Sequence, residues 1–201
     1  LIMGAGNLAR KQIIQGLLFL AGELAYIFYM VFYGAKALQN FVTLGTETQK
    51  KVFNEATQVY EYATGDNSQL CLLYGVVTFF VTIGFILLWR AAIRSSYIAQ
   101  KAQEAGKKPI TFGQILKDLK DNRMYQLFLL FPFLGIILFT VMPLVFMILM
   151  AFTNYDRDHL PPGKLFDWVG FQNFARVLNA GGALGETFWR VLGWTIIWAI
   201  F

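Results

Sequence analysis

The 201 residues are 57% hydrophobic and only 14% charged, with 20 Phe and a mean hydropathy of +0.51. A soluble domain averages about 45–50% apolar and about 25% charged residues, so this chain has too little charge to cover a water-facing surface of its size. The net charge of +5 therefore bears on membrane topology rather than on nucleic acid, and the fold class expected is an all-α polytopic membrane protein.

Residues 1–12 form a short leading segment that carries Arg10 and Lys11. Its "GAGNLA" (Gly4 to Ala9) has the form G-x-G-x-x-A of a dinucleotide fingerprint. That motif works after a strand and inside a βαβ unit, whereas here a membrane-length run follows, so nucleotide binding is set aside. The run, 13–33, is long enough to cross a bilayer, for which about 20 residues at 1.5 Å rise suffice. Its length, and the lack of a small-residue cleavage site after it, predict an uncleaved helix rather than a signal peptide. Glu23 lies near its middle, where a carboxylate costs roughly 2–4 kcal/mol on insertion scales. It is the candidate intramembrane polar site, on an ion or substrate path or, the commoner case, in a packing contact.

Residues 34–69 read as a loop. Within it, "TETQKKVFNEATQVYEYA" (Thr46 to Ala63) spaces Val52, Ala56, Val59 and Ala63 for one apolar face and predicts a short amphipathic helix. The second span, 70–89, holds no charge and ends at Trp89, an aromatic suited to the membrane interface. Loop 90–126 is strongly basic. Its "PITFGQILKDLKD" predicts a helix begun near Thr111, with Ile115 and Leu119 facing one way and Lys117, Asp118, Lys120 and Asp121 in water, lying along the membrane surface.

The third span, 127–152, contains Pro132 and Pro143. Each removes an intrahelical hydrogen bond, so a bend near one of them is expected. Gly84 in the second span and Gly135 in the third allow close helix approach. The connector 153–187 includes "NAGGALGETF" (Asn179 to Phe188), which lacks the Lys-Ser/Thr of a P-loop and reads as a flexible loop. A fourth apolar run begins at 188. The chain starts at Leu1 without Met and stops at Phe201 inside that run. The expectation is three full transmembrane helices plus the start of a fourth, a truncated fragment of a longer protein.

Loop 90–126 holds Arg90, Arg94, Lys101, Lys107, Lys108, Lys117, Lys120 and Arg123 against Glu104, Asp118 and Asp121. The loops at 34–69 and 153–187 each carry more acidic than basic residues. The positive-inside rule then places the N-terminus and loop 90–126 in the cytoplasm and the other two loops outside. Cys71 and His159 are the sole residues of their kinds. No disulfide, Cys or His metal cluster, catalytic residue or cofactor site is expected in this chain, and enzyme chemistry has no support.

"LFPFLGIILFTVMPLVFMILMAFTNYD", then "FDWVGFQNFARVL", then "ETFWRVLGWTIIWAIF" resembles the permease subunits of bacterial sugar ABC importers, in which a proline-containing span ending in SFTN is followed by [FW]-V-G-x-x-N-[FY]. Ala151 stands where Ser is common, while Phe152, Thr153 and Asn154 and then Val169, Gly170, Asn173 and Phe174 keep the pattern. With the extra leading spans, and Tyr155 and Trp168 in the connector, the chain is most similar to the larger maltose/maltodextrin permease subunit of Gram-positive bacteria. The resemblance implies a multi-pass subunit of the bacterial plasma membrane that forms part of a translocation pathway for maltose and maltodextrins. It implies as partners a second permease subunit, two cytoplasmic ATPase subunits that consume the ATP, and an extracytoplasmic sugar-binding protein.

In that setting Thr153, Asn154 and Tyr155 are expected to anchor the end of the third span, Pro161-Pro162 to stop the helix, and Trp168 and Phe171 to sit at the lipid interface. These are corner residues rather than substrate ligands. A membrane-anchored sensor or interaction module without transport is the alternative reading.

Overall fold

A computed structural model describes residues 2–55, 58–179 and 181–200. In chain order they form α1 (Ala5–Ala9), α2 (Ile13–Thr43), β1 (Lys51–Asn54), β2 (Val59–Tyr62), α3 (Ser68–Glu104), α4 (Phe112–Asp121), α5 (Met124–Met150), α6 (Gln172–Leu178) and α7 (Ala183–Ile200). Helices α2, α3 and α5 are long and apolar enough to cross a membrane.

Helix α2 has 31 residues, about 46 Å at 1.5 Å per residue, and α3 has 37, about 56 Å, so both outrun a hydrocarbon core of about 30 Å. Only 6%, 28% and 0% of the most apolar windows of α2, α3 and α5 are buried. Their surface is therefore left for lipid and further protein to cover.

Helix α2 ends where Leu44 and Gly45 take positive φ of 54° and 102°, a left-handed stop that favours glycine. The Asp66 carboxylate accepts the Thr46 and Glu47 N–H groups at 2.8 and 3.1 Å. Asn67 Oδ1 accepts the N–H groups of Gln69 and Leu70 at 3.0 and 3.3 Å and so caps α3.

Two helices change winding inside a span. In α2 a π turn covers Met30–Gly34, and the Ala35 N–H reaches the Met30 carbonyl. In α5 a π turn covers Ile137–Val141, with the Met142 N–H on the Ile137 carbonyl. The second lies between Pro132 and Pro143, with only Met142 separating it from Pro143, whose ring nitrogen has no hydrogen to donate.

The segment expected as an amphipathic helix, Thr46 to Ala63, is instead an antiparallel hairpin, with Lys51 opposite Tyr62, Val52 opposite Glu61, Phe53 opposite Tyr60 and Asn54 opposite Val59. Ala56, part of the expected apolar face, lies outside the described residues. Val52 and Val59 lose rotamer freedom in a helix and gain cross-strand partners in a hairpin. The Phe53 and Tyr60 rings meet edge-on at 5.1 Å, and the Lys51 ammonium sits 5.3 Å from the Tyr62 ring centre. The glycine-rich stretch expected as a flexible loop likewise enters α7 at Ala183, five residues before Phe188. Gly185 sits against the Asn179 carbonyl, where a Cβ has no room, and Glu186 pairs with Arg190 at 2.8 Å one turn on.

The chain divides into two compact units, residues 1–40 with 73–143 and residues 41–72 with 144–201. In the first, α2 and α3 meet through a seam of small and polar groups. Tyr26 donates to Thr82 at 3.2 Å, and Tyr29 meets Thr78 at 2.9 Å. Tyr26 stacks on Phe85 at 3.9 Å, and Gly22 leaves room for Leu88. Threonine and glycine at such contacts let membrane helices approach closely and bond across. The second unit has its own core, Leu44, Leu72 and Phe166, with Phe41, Phe146, Leu149, Met150 and Trp168 packed around it.

Candidate functional site: a polar clamp and a hydrogen-bonded corner

Residues 2–12 fold back along α2. Gly4 opens α1 at φ 79°, and Lys11, at φ 61°, reverses the chain into α2. The approach is close enough that a Cβ on Gly4 would run into the Gly16 carbonyl and one on Gly6 into the Ser96 hydroxyl. "GAGNLA" therefore needs its glycines for helix packing, not for a pyrophosphate.

Polar groups lock the segment down. The fully buried Asn7 amide donates to Gln12 Oε1 and to Ser95 Oγ, both at 2.8 Å. The Arg10 guanidinium donates to the Gly6 carbonyl, to Ser96 Oγ and to Gln100 Oε1 at 2.6, 3.1 and 3.0 Å. The segment and α3 together border a groove of about 360 Å³ lined by Met3, Asn7, Trp89, Ser96, Tyr97 and Gln100 among others. Met3, Ser96, Tyr97 and Gln100 belong to no short motif, and Asn7 and Trp89 carry no local sign that they meet, so the groove has no signal in the sequence.

Glu23 belongs to the same clamp. Its carboxylate accepts the Met3 backbone N–H at 2.7 Å, so the structure supplies a hydrogen-bond partner from the chain's own leading segment. Glu23→Gln keeps an acceptor and is expected to leave the thermal midpoint of the detergent-purified protein in place. Glu23→Leu strands the N–H of the buried Met3 and should lower stability by about 1–3 kcal/mol. Equal midpoints for the two variants would show that this bond carries no weight.

The family-motif positions of the connector come together in the second unit. Thr153 donates through Oγ1 to the Met150 carbonyl at 2.8 Å and ends α5. It also forms a bridge with Trp168. Asn154 and Asp167 exchange bonds, N–H to carbonyl at 3.0 Å and N–H to Oδ1 at 2.6 Å. The Val169 and Gly170 N–H groups both reach the Phe152 carbonyl, at 2.8 and 3.1 Å, with Gly170 at φ 58°. Asn173 Nδ2 donates to the carbonyls of Ala151 and Thr153 at 3.0 and 2.7 Å. Two acceptors left bare at the end of a helix are thus filled by one amide.

The ring of Phe152 lies 5.3 Å from Phe171 and 5.0 Å from Phe174, and Tyr155 meets Phe166 at 5.5 Å. Trp168 donates its indole N–H to the Phe41 carbonyl at 3.2 Å. Phe171, by contrast, is 75% exposed. Replacing Asn173 by Ala is expected to cost about 1–3 kcal/mol, because two carbonyls lose their donor. An unchanged thermal midpoint would remove Asn173 from the account of the corner.

A polar recess of about 130 Å³ beside the corner is lined by Thr153, Asn154, Asp156, Gln172, Asn173 and Arg176 among others. Small-molecule pockets start at roughly 300 Å³, so the recess is too small for an oligosaccharide. A hydrogen bond from the His159 ring, Nδ1 to Oδ1 at 2.7 Å, holds the Asp156 carboxyl below its ordinary range, helped by the N–H groups of Asp158 and His159. Among the described residues no group of three His, Cys, Asp or Glu side chains is placed to hold a metal ion.

Three helices of membrane-crossing length and composition, joined by polar loops, define a polytopic all-α membrane protein. Comparison with known proteins narrows the class. The whole chain aligns at 28% identity over 201 residues with a maltodextrin transport system permease protein, MalC, of Streptococcus pneumoniae, and covers 42% of that protein. It aligns at 31% identity over 201 residues with the maltodextrin transport system permease protein MdxF of Bacillus subtilis, again covering 42%. A galactooligosaccharides transport system permease protein of Bacillus subtilis, GanP, matches at 31% over 210 residues, 44% of its length. The chain thus spans less than half the length of these curated relatives. No protein-family model matches the chain, and no solved structure does. These relatives are sugar-transport permeases, the kind of protein that the connector motifs resemble.

Proposed function

We propose that this chain is part of the membrane-spanning permease subunit of an ATP-driven importer for maltose and maltodextrins, and that it contributes to the translocation pathway. The observation that carries the reading is the alignment of all 201 residues with two maltodextrin permeases. The motif positions from Phe152 to Phe174 support it.

In this reading the chain works with a second permease subunit, two cytoplasmic ATPase subunits and an extracytoplasmic sugar-binding protein. ATP is hydrolysed in the partner subunits, and the permeases rock between inward- and outward-facing states. The clamp and the corner then stiffen the scaffold on which pore helices move, and the corner residues hold backbone rather than sugar. The test is uptake of labelled maltotriose by cells lacking the gene for this chain. Uptake should fall to background and return when the intact gene is restored; undiminished uptake of maltose and maltotriose in the deletion strain would overturn the substrate assignment.

The topology proposed with it puts the N-terminus and loop 90–126 in the cytoplasm of a bacterial plasma membrane, on the strength of eight basic residues in that loop. A membrane-impermeant thiol reagent applied to intact cells should modify Gly163→Cys, an exposed connector position, and leave Lys107→Cys untouched until the cells are opened. Modification of Lys107→Cys in intact cells would invert the orientation.

A further inference from the structure

Helix α4 has features that the transport reading does not use. Phe112, Ile115, Leu116 and Leu119 fall at i, i+3, i+4 and i+7 and make one apolar stripe. Ile115 and Leu116 in it are 41% and 56% exposed.

The helix is well finished for its ten residues. Thr111 and Gln114 form a reciprocal capping box. At the other end, the N–H groups of Asn122 and Arg123 reach the Asp118 carbonyl at 2.9 and 3.1 Å. The Asp118 carboxylate takes Asn122 Nδ2 at 2.8 Å and Arg123 Nε at 2.9 Å.

Both ends are tied to the starts of membrane spans. Gln12, directly before α2, donates to the Ile110 carbonyl at 2.7 Å. Only Asn122 and Arg123 separate α4 from α5. A helix pinned at both ends to span starts lies at the bilayer surface, with its stripe available to the acyl boundary. The flanking charge favours one kind of surface. Residues 107–123 hold Lys107, Lys108, Lys117, Lys120 and Arg123 against Asp118 and Asp121, and Asp118 is already paired with Arg123. Lys107 and Lys108 precede the helix and Lys120 borders the stripe, so their ammonium groups reach headgroup level, while Lys117 points to water.

We propose that α4 is a docking helix for anionic phospholipid. The Phe112–Leu119 stripe seats at the acyl–headgroup boundary, and Lys107, Lys108 and Lys120 hold acidic headgroups. Each lysine near an anionic surface is worth about fivefold in partitioning.

The test uses the full-length protein with Cys71 replaced by Ala, reconstituted into nanodiscs of phosphatidylcholine alone or mixed with phosphatidylglycerol. A nitroxide is placed at Leu116→Cys or at Lys117→Cys, and its depth is read from collision with oxygen and with a water-soluble nickel chelate. The Leu116 label should be immersed in the mixed discs and shallower in phosphatidylcholine, with the Lys117 label in water in both. The triple change Lys107→Gln, Lys108→Gln and Lys120→Gln should abolish the lipid dependence. A Leu116 label equally deep in both lipids would overturn headgroup recognition. A Leu116 label exposed to water in both would overturn membrane docking and leave the stripe to a protein partner.

Discussion

Replacing Gly4 by Ala is expected to release residues 2–11 from the membrane helices. Two costs act together. Gly4 sits at φ 79°, a left-handed conformation that disfavours an L side chain by roughly 1–2 kcal/mol. The added methyl also overlaps the Gly16 backbone carbonyl, and backbone in a regular helix has little freedom to move aside. If α1 lifts away, Met3 leaves Glu23, Asn7 leaves Ser95, and Arg10 leaves Ser96 and Gln100. Hydrogen exchange of the reconstituted protein should show the Asn7 and Leu8 amides, which bond to the Gly4 carbonyl, losing most of their protection. The contrasting change is Gly113→Ala in α4. Nothing stands within 4 Å of its Cβ, and alanine there gains up to about 1 kcal/mol of helix propensity. Full protection in Gly4→Ala would mean that the leading segment is held by something other than this close approach.

How much of this was readable in the sequence depends on the range of the interactions involved. Spans are local, and an apolar run of 20 or so residues with a backbone that must bond to itself becomes a helix in any membrane context. The helices continue past the apolar runs because Ala35, Leu38, Ala91, Ala99 and their polar neighbours are good helix formers. The helix start near Thr111 was visible for the same reason, since the capping box that forms it spans only four residues.

The hairpin was not visible. Val52, Val59 and Ala63 fit a helical period as well as a strand, and the choice was made by pairs such as Phe53 with Tyr60 that exist only once the two strands have met. The clamp was half visible. Two glycines around Ala5 signal a backbone constraint, but what they accommodate, Gly16 and Ser96, is a tertiary fact. In the connector the motif positions came from family resemblance, and their bonds to one another show what each contributes to the corner. The contacts that seat the corner join Trp168 to Phe41 and Phe166 to Ser68, 127 and 98 residues apart. No local pattern carries such information.

Those long-range contacts make Phe166 the residue whose loss should be felt most in the second unit. Its side chain is 0% exposed and packs with Leu44 and Leu72, both also 0% exposed. Its ring meets Tyr155, and its N–H donates to the Ser68 hydroxyl at the first turn of α3. Phe166→Ala keeps the backbone bond but leaves a cavity that rigid helix ends on either side are poorly able to close. Buried Phe→Ala changes cost about 3–5 kcal/mol, and this core is small, so few other contacts remain to hold the corner. Trp168, stacked edge-on against Phe41 at 5.5 Å, provides the readout. In the purified protein the fluorescence transition should move to distinctly lower temperature, and the indole emission should shift to the red before melting as Trp168 meets water. Phe171→Ala removes a ring of the same size that is 75% exposed and should shift the midpoint far less. Were Phe171→Ala the more damaging of the two, lipid or partner contact at the exposed aromatic, not the Leu44–Leu72–Phe166 core, would be what holds the connector in place.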